Sequence, residues 1–359
     1  MAERRKDMPP EVKDKLDKYA EGTRVMFEGT KASTGQTPKE VIWTKNKARL
    51  YRYEPSAEKK HPVPILMVYA LINRPYVLDL LPGNSFIEYL VGQGFDVYLL
   101  DWGIPGDEDW DLSFDEYVLD YLRPATKRVL RASRAEEYTL FGYCMGGTMS
   151  AMYASLFPSE FLKNLVLLTT PIDFAPEKTG LLGLWTDEKY LNPDLLVGSV
   201  GNISSEIVEN AMRMLKPVTN YVGAYATMWE CILDEKPTDT WEAMNKWVSD
   251  GTPFPGAAFK QWIKEFYQQN KLVKGEICLR GHKVDLSNIT CPILNIAGKR
   301  DHICPLPQAE PTTDLVSSED KEFFVLDAGH VGLLTGRSAK KDLWPKVKSW
   351  LEERSGSES

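Results

Sequence analysis

The chain has 359 residues, 43% of them apolar and 26% charged, which is ample for one large buried core and ordinary for a globular protein. A net charge of −8 argues against general nucleic-acid binding, and no apolar run is long enough to cross a bilayer. The five cysteines fall at irregular positions without a Cys-x-x-Cys pair, which excludes a disulfide framework and a thiolate zinc site and leaves reduced thiols free for chemistry.

In chain order, Met1 to Asp7 lacks the apolar region of a signal peptide, so a cytoplasmic chain is expected. Residues 1–38 read as an N-terminal helical segment, with Val12, Leu16, Tyr19, Val25, Met26 and Phe27 near one stripe. Such a helix either packs on the main domain or offers a partner its apolar face. A hairpin is predicted next, from residues 41–44 and 49–53 around a polar turn at 45–47. Apolar runs follow at 63–69, 95–100, 138–141, 165–169, 293–297 and 323–326, with helical patterns between several of them. That alternation predicts an α/β fold with a mostly parallel central sheet flanked by helices.

Residues 173–288 break the pattern. They hold Trp185, Trp229, Trp241, Trp247 and Trp262, with helical patterns at 204–215 and 259–270. We read them as an inserted, mainly helical cap between the sixth and seventh core strands, which leaves 39–172 and 289–359 as the catalytic core. The polar tail 355–359 predicts disorder.

The sharpest feature is Gly142-Tyr143-Cys144-Met145-Gly146, between a strand-like run and a small-residue helix pattern that stops at Pro158. It reads as a nucleophile elbow with cysteine in place of serine, the signature of an α/β-hydrolase fold. In that fold an acid and then a histidine follow the nucleophile along the chain, each on a loop after a core strand. Asp301 and His330 occupy those places, so the predicted triad is Cys144, Asp301 and His330. Of the other histidines, His61 lies in a charged segment and is expected to be solvated, and His282 at most helps to bind substrate. His302, beside Asp301, is the rival base. His302 and Cys304 lack further ligands at metal-site spacing, so no metal and no cofactor are expected. The oxyanion donors are expected to be the backbone N–H groups of Met145 and Ile72. Arg280, Lys283, Lys299 and Arg300, with His302, are candidates to bind substrate phosphates.

The motifs Tyr69-Ala70-Leu71-Ile72-Asn73-Arg74-Pro75-Tyr76, Asp101-Trp102-Gly103, the Cys144 elbow and Gly298-Lys299-Arg300-Asp301-His302 resemble those of polyhydroxyalkanoate synthase catalytic subunits of the two-component classes III and IV. Segments 37–44 and 250–256 look closest to class IV. The resemblance covers nearly the whole chain. It implies a polymerase that joins (R)-3-hydroxyacyl units, mainly 3-hydroxybutyryl, from coenzyme A (CoA) thioesters into a polyester and releases CoA. Its catalytic cysteine, aspartate and histidine map onto Cys144, Asp301 and His330. It also implies a small non-catalytic partner subunit and a cytoplasmic place at the surface of polyester granules; a homodimer is left open. Cysteine suits this substrate, because exchange of one thioester for another is nearly balanced in energy. Asp301 either orients His330 or acts on the 3-hydroxyl group. The competing readings are a thioesterase or polyester depolymerase with the same triad, and a non-catalytic granule scaffold.

Overall fold

In the computed structural model the described residues are 9–27, 32–56, 58, 60–158, 161–234 and 237–355. The sheet begins as a hairpin of β1 (Lys39–Lys45) and β2 (Ala48–Tyr53). Lys45 and Ala48 pair across a two-residue turn, where Asn46 takes φ 51°, a left-handed conformation that asparagine tolerates. The other strands of the main sheet are β3 (Ile65–Val68), β4 (Val97–Asp101), β5 (Tyr138–Tyr143), β6 (Leu162–Leu168), β7 (Ile293–Gly298) and β8 (Lys321–Leu326). Their spatial order is β1-β2-β4-β3-β5-β6-β7-β8, and every pair from β4 onward is parallel. Helices cover both faces, so β3, β4, β5 and β7 are buried along their whole length and read as mainly apolar runs, with Asp101, Thr139 and Asn295 as buried polar exceptions.

Parallel strands bring all their carboxyl ends to one edge of the sheet, and the loops that leave that edge can converge. Behind the edge runs the helix Met145–Leu156, with Met145 through Ser155 buried. Its start is glycine-rich because it lies hard against the sheet. A β-carbon on Gly146 would strike the carbonyl oxygens of Val68 and Tyr69, and one on Gly147 would strike the Thr170 side chain.

The chain leaves the sheet after Leu168 and rejoins it at Ile293. Between lie, besides a short helix at Gly180–Thr186 and a wide turn at Val218–Gly223, the helices Pro193–Val200, Ser205–Met214, Ala224–Leu233, Asp239–Ser249 and Gly256–Gln261. Of these five, the last continues as a wider turn to Gln268. Ser204 caps the second of these through its Oγ, which accepts from the Ile207 N–H. Trp262 ties the last to the core, stacked on Phe114 at 5.5 Å and edge-on to Phe174 at 5.1 Å. Of the nineteen large apolar side chains exposed among the described residues, eleven lie in this insertion, from Leu181 to Leu233.

The N-terminal helix, Pro10–Phe27, is shorter than the segment 1–38 expected to be helical; residues 1–8 and 28–31 lie outside the described ones. It packs on the insertion, not on the main domain. Val25 is buried against Met228 and Ile232, Tyr19 meets Trp229 at 5.2 Å, and Gly22 allows the Trp229 ring close approach. Val12, Leu16 and Tyr19 stay exposed. At the other end the tail begins later than expected: Ser355 is the buried last residue of the helix Trp344–Ser355, and only 356–359 fall outside the described residues.

Candidate active site

Cys144 joins β5 to the buried helix with φ 54° and ψ −128°. A residue with a β-carbon is strained there, by about 1–3 kcal/mol, and persists only where its surroundings dictate it. Here the Cys144 N–H donates to the Leu168 carbonyl at 3.0 Å, and its carbonyl accepts from Gly147 N–H at 2.8 Å and Thr148 N–H at 3.2 Å. Gly142 completes the elbow, since a β-carbon there would meet Gly147 and Ser150. The turn sets Cys144 in the wall of a cavity.

The loop after β8 brings His330 to the same wall. His330 Nδ1 lies 2.7 Å from Asp301 Oδ2, and both residues are buried. The second Asp301 oxygen accepts the N–H groups of Ile303 and Cys304, each at 2.9 Å. With Nδ1 taken by Asp301, the ring's other nitrogen is the one left for Cys144, which lines the same cavity. Burial lowers the His330 pKa, but the charges of Asp301 and Cys144 and its hydrogen bonds to both reverse this and push it up to about 10. Burial raises the Asp301 pKa, yet the His330 charge and the hydrogen bonds it receives hold it below the ordinary carboxylate value.

Two neighbours escaped the sequence reading. Thr169, at the end of β6 with φ 47°, donates its hydroxyl to Asp301 Oδ2 and lies 3.3 Å from His330 Nδ1. Tyr143 donates its hydroxyl to the His330 carbonyl at 3.2 Å, so the residue before the nucleophile also tethers the base. A Thr-Thr pair directly after an apolar strand, in the plane of the triad loops, was the available signal for the first. The second carried none, because Tyr143 reads as part of the strand.

The cavity holds about 580 Å³. Its floor carries Cys144, His330, Tyr69 and Ile72, and its roof is built by the insertion, with Met212, Trp241, Met244 and Val248. The Met145 N–H is the first of its helix and has no intrahelical carbonyl to bond. Ile72 lines the same cavity from the loop after β3.

The rival histidine, His302, also lines the cavity, but Asp301 is bonded to His330. Burial, with Lys216 nearby, lowers the His302 pKa, and its Nδ1 is buried with no hydrogen-bond partner among the described residues. His282 is exposed on a short hairpin, away from the cavity lining. His61 is not solvated as expected: it is buried and stacked on Phe95 at 4.0 Å, because the charged residues around it leave the imidazole as the flat apolar surface that covers the ring.

The expected basic cluster does not form at the cavity. Arg280 is held by Glu116 at 2.7 Å and by Asp120, and its N–H donates to Asp115. Arg300 pairs with Asp327 at 2.8 Å on the surface. Neither these two nor Lys283 and Lys299 line the cavity; its arginine is Arg213, itself paired with Glu209 at 2.8 Å. The described residues hold no group of three or more His, Cys, Asp or Glu able to bind a metal ion. Nor do they include a helix long and apolar enough to cross a membrane.

Sequence profiles match two parts of the chain. That of the alpha/beta hydrolase fold covers residues 63–337, and that of the poly-beta-hydroxybutyrate polymerase (PhaC) N-terminus covers residues 21–90. A Haloferax mediterranei protein named poly(3-hydroxyalkanoate) polymerase subunit PhaC is 43% identical over 91% of this chain, which spans 66% of that relative. Its Allochromatium vinosum namesake is 35% identical over 96% of both chains. Among solved structures, a monoacylglycerol lipase from Paleococcus ferrophilus superposes with a TM-score of 0.51 at 17% identity, covering 84% of this chain and 98% of its own. At that identity the likeness concerns the fold.

Proposed function

The chain belongs to the poly(3-hydroxyalkanoate) polymerase PhaC family, and from that premise we propose that it builds polyester from (R)-3-hydroxyacyl-CoA, mainly the 3-hydroxybutyryl thioester, through an acyl group carried on Cys144. The observation that carries this reading is a cysteine at the elbow, backed by a buried His330–Asp301 pair and roofed by an apolar cavity.

In the loading step His330 takes the Cys144 thiol proton, and Sγ attacks the thioester carbonyl carbon. The carbonyl oxygen becomes an oxyanion, facing the N–H groups of Met145 and Ile72. As the intermediate collapses, the bond to the CoA sulfur breaks, and His330 returns the proton to that sulfur. The enzyme keeps a thioester and CoA leaves as the thiol. In elongation a 3-hydroxyl oxygen attacks an enzyme-held acyl carbon, giving up its proton to His330; the released Cys144 sulfur takes that proton back. Asp301 orients His330 in both steps. No resident cofactor enters the scheme. The apolar roof keeps water, the competing acceptor, from the acyl-enzyme.

The relatives are named as subunits, and we extend this to a small non-catalytic partner for this chain and to work at the surface of polyester granules. A phosphate-binding role for Arg280, Lys283, Lys299 or Arg300 is not carried forward. His302, in the cavity wall, remains the candidate for substrate contact.

The test is direct. Purified protein given (R)-3-hydroxybutyryl-CoA should release CoA and accumulate polyester. Stoichiometric free 3-hydroxy acid without polymer would make it a thioesterase, and CoA release undiminished in Cys144→Ala would remove the covalent route.

A further inference from the structure

The loop after β3, residues 69–76, is fastened chiefly by the cap. Trp247 Nε1–H donates to the Arg74 carbonyl at 2.7 Å, and Tyr76 donates its hydroxyl to Asp250 Oδ2 at 3.0 Å. Thr252 Oγ1–H donates to the Leu71 carbonyl at 3.0 Å. All three cap residues lie within six positions of one another, Trp247 in the last turn of the helix Asp239–Ser249 and Asp250 and Thr252 on the segment that follows it out of the roof. From the core side Trp102 holds the Tyr69 carbonyl at 2.9 Å. Thr252 is 2% exposed and Leu71 4%, so no water competes for that hydrogen bond.

The Leu71 carbonyl and the Ile72 N–H belong to one peptide unit. A trans peptide is planar, with its C=O and N–H pointing in opposite directions. Whatever grips the carbonyl therefore aims the N–H the other way. Thr252 draws the Leu71 oxygen toward the cap segment, and the Ile72 donor is left facing away from it, while Ile72 itself lines the cavity with Cys144. We propose that Thr252 is a positioning residue for catalysis: its hydroxyl sets the orientation of the Leu71–Ile72 peptide, so that the second oxyanion donor exists only while the cap is docked. This rests on the assignment of Ile72 as that donor.

The experiment separates oxyanion stabilisation from general integrity. Alkylation of Cys144 by iodoacetamide displaces iodide at a saturated carbon and develops no oxyanion, whereas acyl loading from 3-hydroxybutyryl-CoA does. Thr252→Val keeps shape and removes the donor; Thr252→Ala is the second variant should valine disturb the fold. Each should alkylate at the wild-type rate yet load acyl groups about 10–100-fold more slowly, with KM little changed, given that loss of one oxyanion donor costs about 10²–10³ in kcat. Thr252→Ser should restore loading to within a few-fold. Wild-type loading in the valine and alanine variants would overturn the proposal, as would an equal fall of loading and alkylation. An amide-to-ester replacement that deletes the Ile72 N–H supplies the remaining arm. If it slows loading while Thr252→Val does not, Thr252 is dismissed and the Ile72 donor stands. If neither does, the donor assignment itself falls.

Discussion

At Cys144 the backbone is strained and the side chain is committed. Cys144→Ala should abolish acyl loading with thermal stability nearly unchanged, because alanine meets the same turn with the same β-carbon. Cys144→Ser should be severely impaired, since a hydroxyl needs stronger activation by the base than a thiol. His330→Ala should lower turnover by about 10³-fold or more, while His302→Ala should stay within about tenfold; the reverse order in steady-state rates would mean that the base was misassigned. The Asp301–His330 pair also predicts a pH signature. The His330 pKa is raised above its unfolded value, so its contribution to stability is complete below about 6.5 and fades as pH climbs through about 10. Asp301 is shifted the other way, so its contribution is present above the ordinary carboxylate range and fades as acid reaches its lowered value. Asp301→Ala should therefore destabilise the protein by about 3–5 kcal/mol near neutrality, as loss of one partner of a buried pair does. The gap to wild type should narrow toward pH 10, which denaturant titrations at several pH values would show. Imidazole nitrogen chemical shifts should show the His330 titration falling in the variant, where Cys144 alone is left to oppose burial.

Among elements, the buried helix behind the nucleophile has the least room. Gly147→Ala should cost about 1–3 kcal/mol, read as a lowered Tm, because the added methyl meets Thr170 and neither the helix nor β6 can retreat from a packed interface. The strands, the elbow and the order of the triad were legible in the sequence for one reason: each depends on local pattern. A strand covered on both faces must be mainly apolar, and an elbow must carry its glycines. Contacts that join distant segments leave no such trace. Arg280, Lys283, Lys299 and Arg300 lie near the acid loop in the chain, yet Arg280 answers to Glu116 and Asp120, more than 150 positions earlier. Thr169, Tyr143 and Thr252 reach the site through side-chain hydrogen bonds whose partners the fold alone selects. The N-terminal stripe was visible, but not that its buried end would choose the cap over the core.

For the molecule as a whole, the cap is where the parts meet. It roofs Cys144, holds the loop of Ile72 and carries the N-terminal helix on its outer side. If a partner subunit favours the cap arrangement competent for substrate entry, the isolated chain should polymerise slowly and the partner should accelerate it without adding catalytic groups. Deleting residues 1–27 should loosen the helix Ala224–Leu233, seen as faster amide hydrogen exchange there, and weaken activation by the partner more than it weakens global stability. Full activity of the chain alone would dispense with the partner. Unchanged activation after the deletion would put its docking surface elsewhere on the cap.

The uneven spread of exposed apolar side chains gives this molecule two wetting characters. Exposed apolar side chains gathered on the cap of an acidic protein make a small amphiphile, and an amphiphile gathers wherever oil meets water. Acidic protein molecules crowded at the rim of a hydrophobic droplet would also repel those on neighbouring droplets and so act as a dispersant. A pendant-drop measurement should show it lowering oil–water interfacial tension at micromolar concentration. Replacing Leu195, Val218 and Val222 with serine should blunt that effect while leaving hydrolysis-free CoA release from dissolved substrate intact.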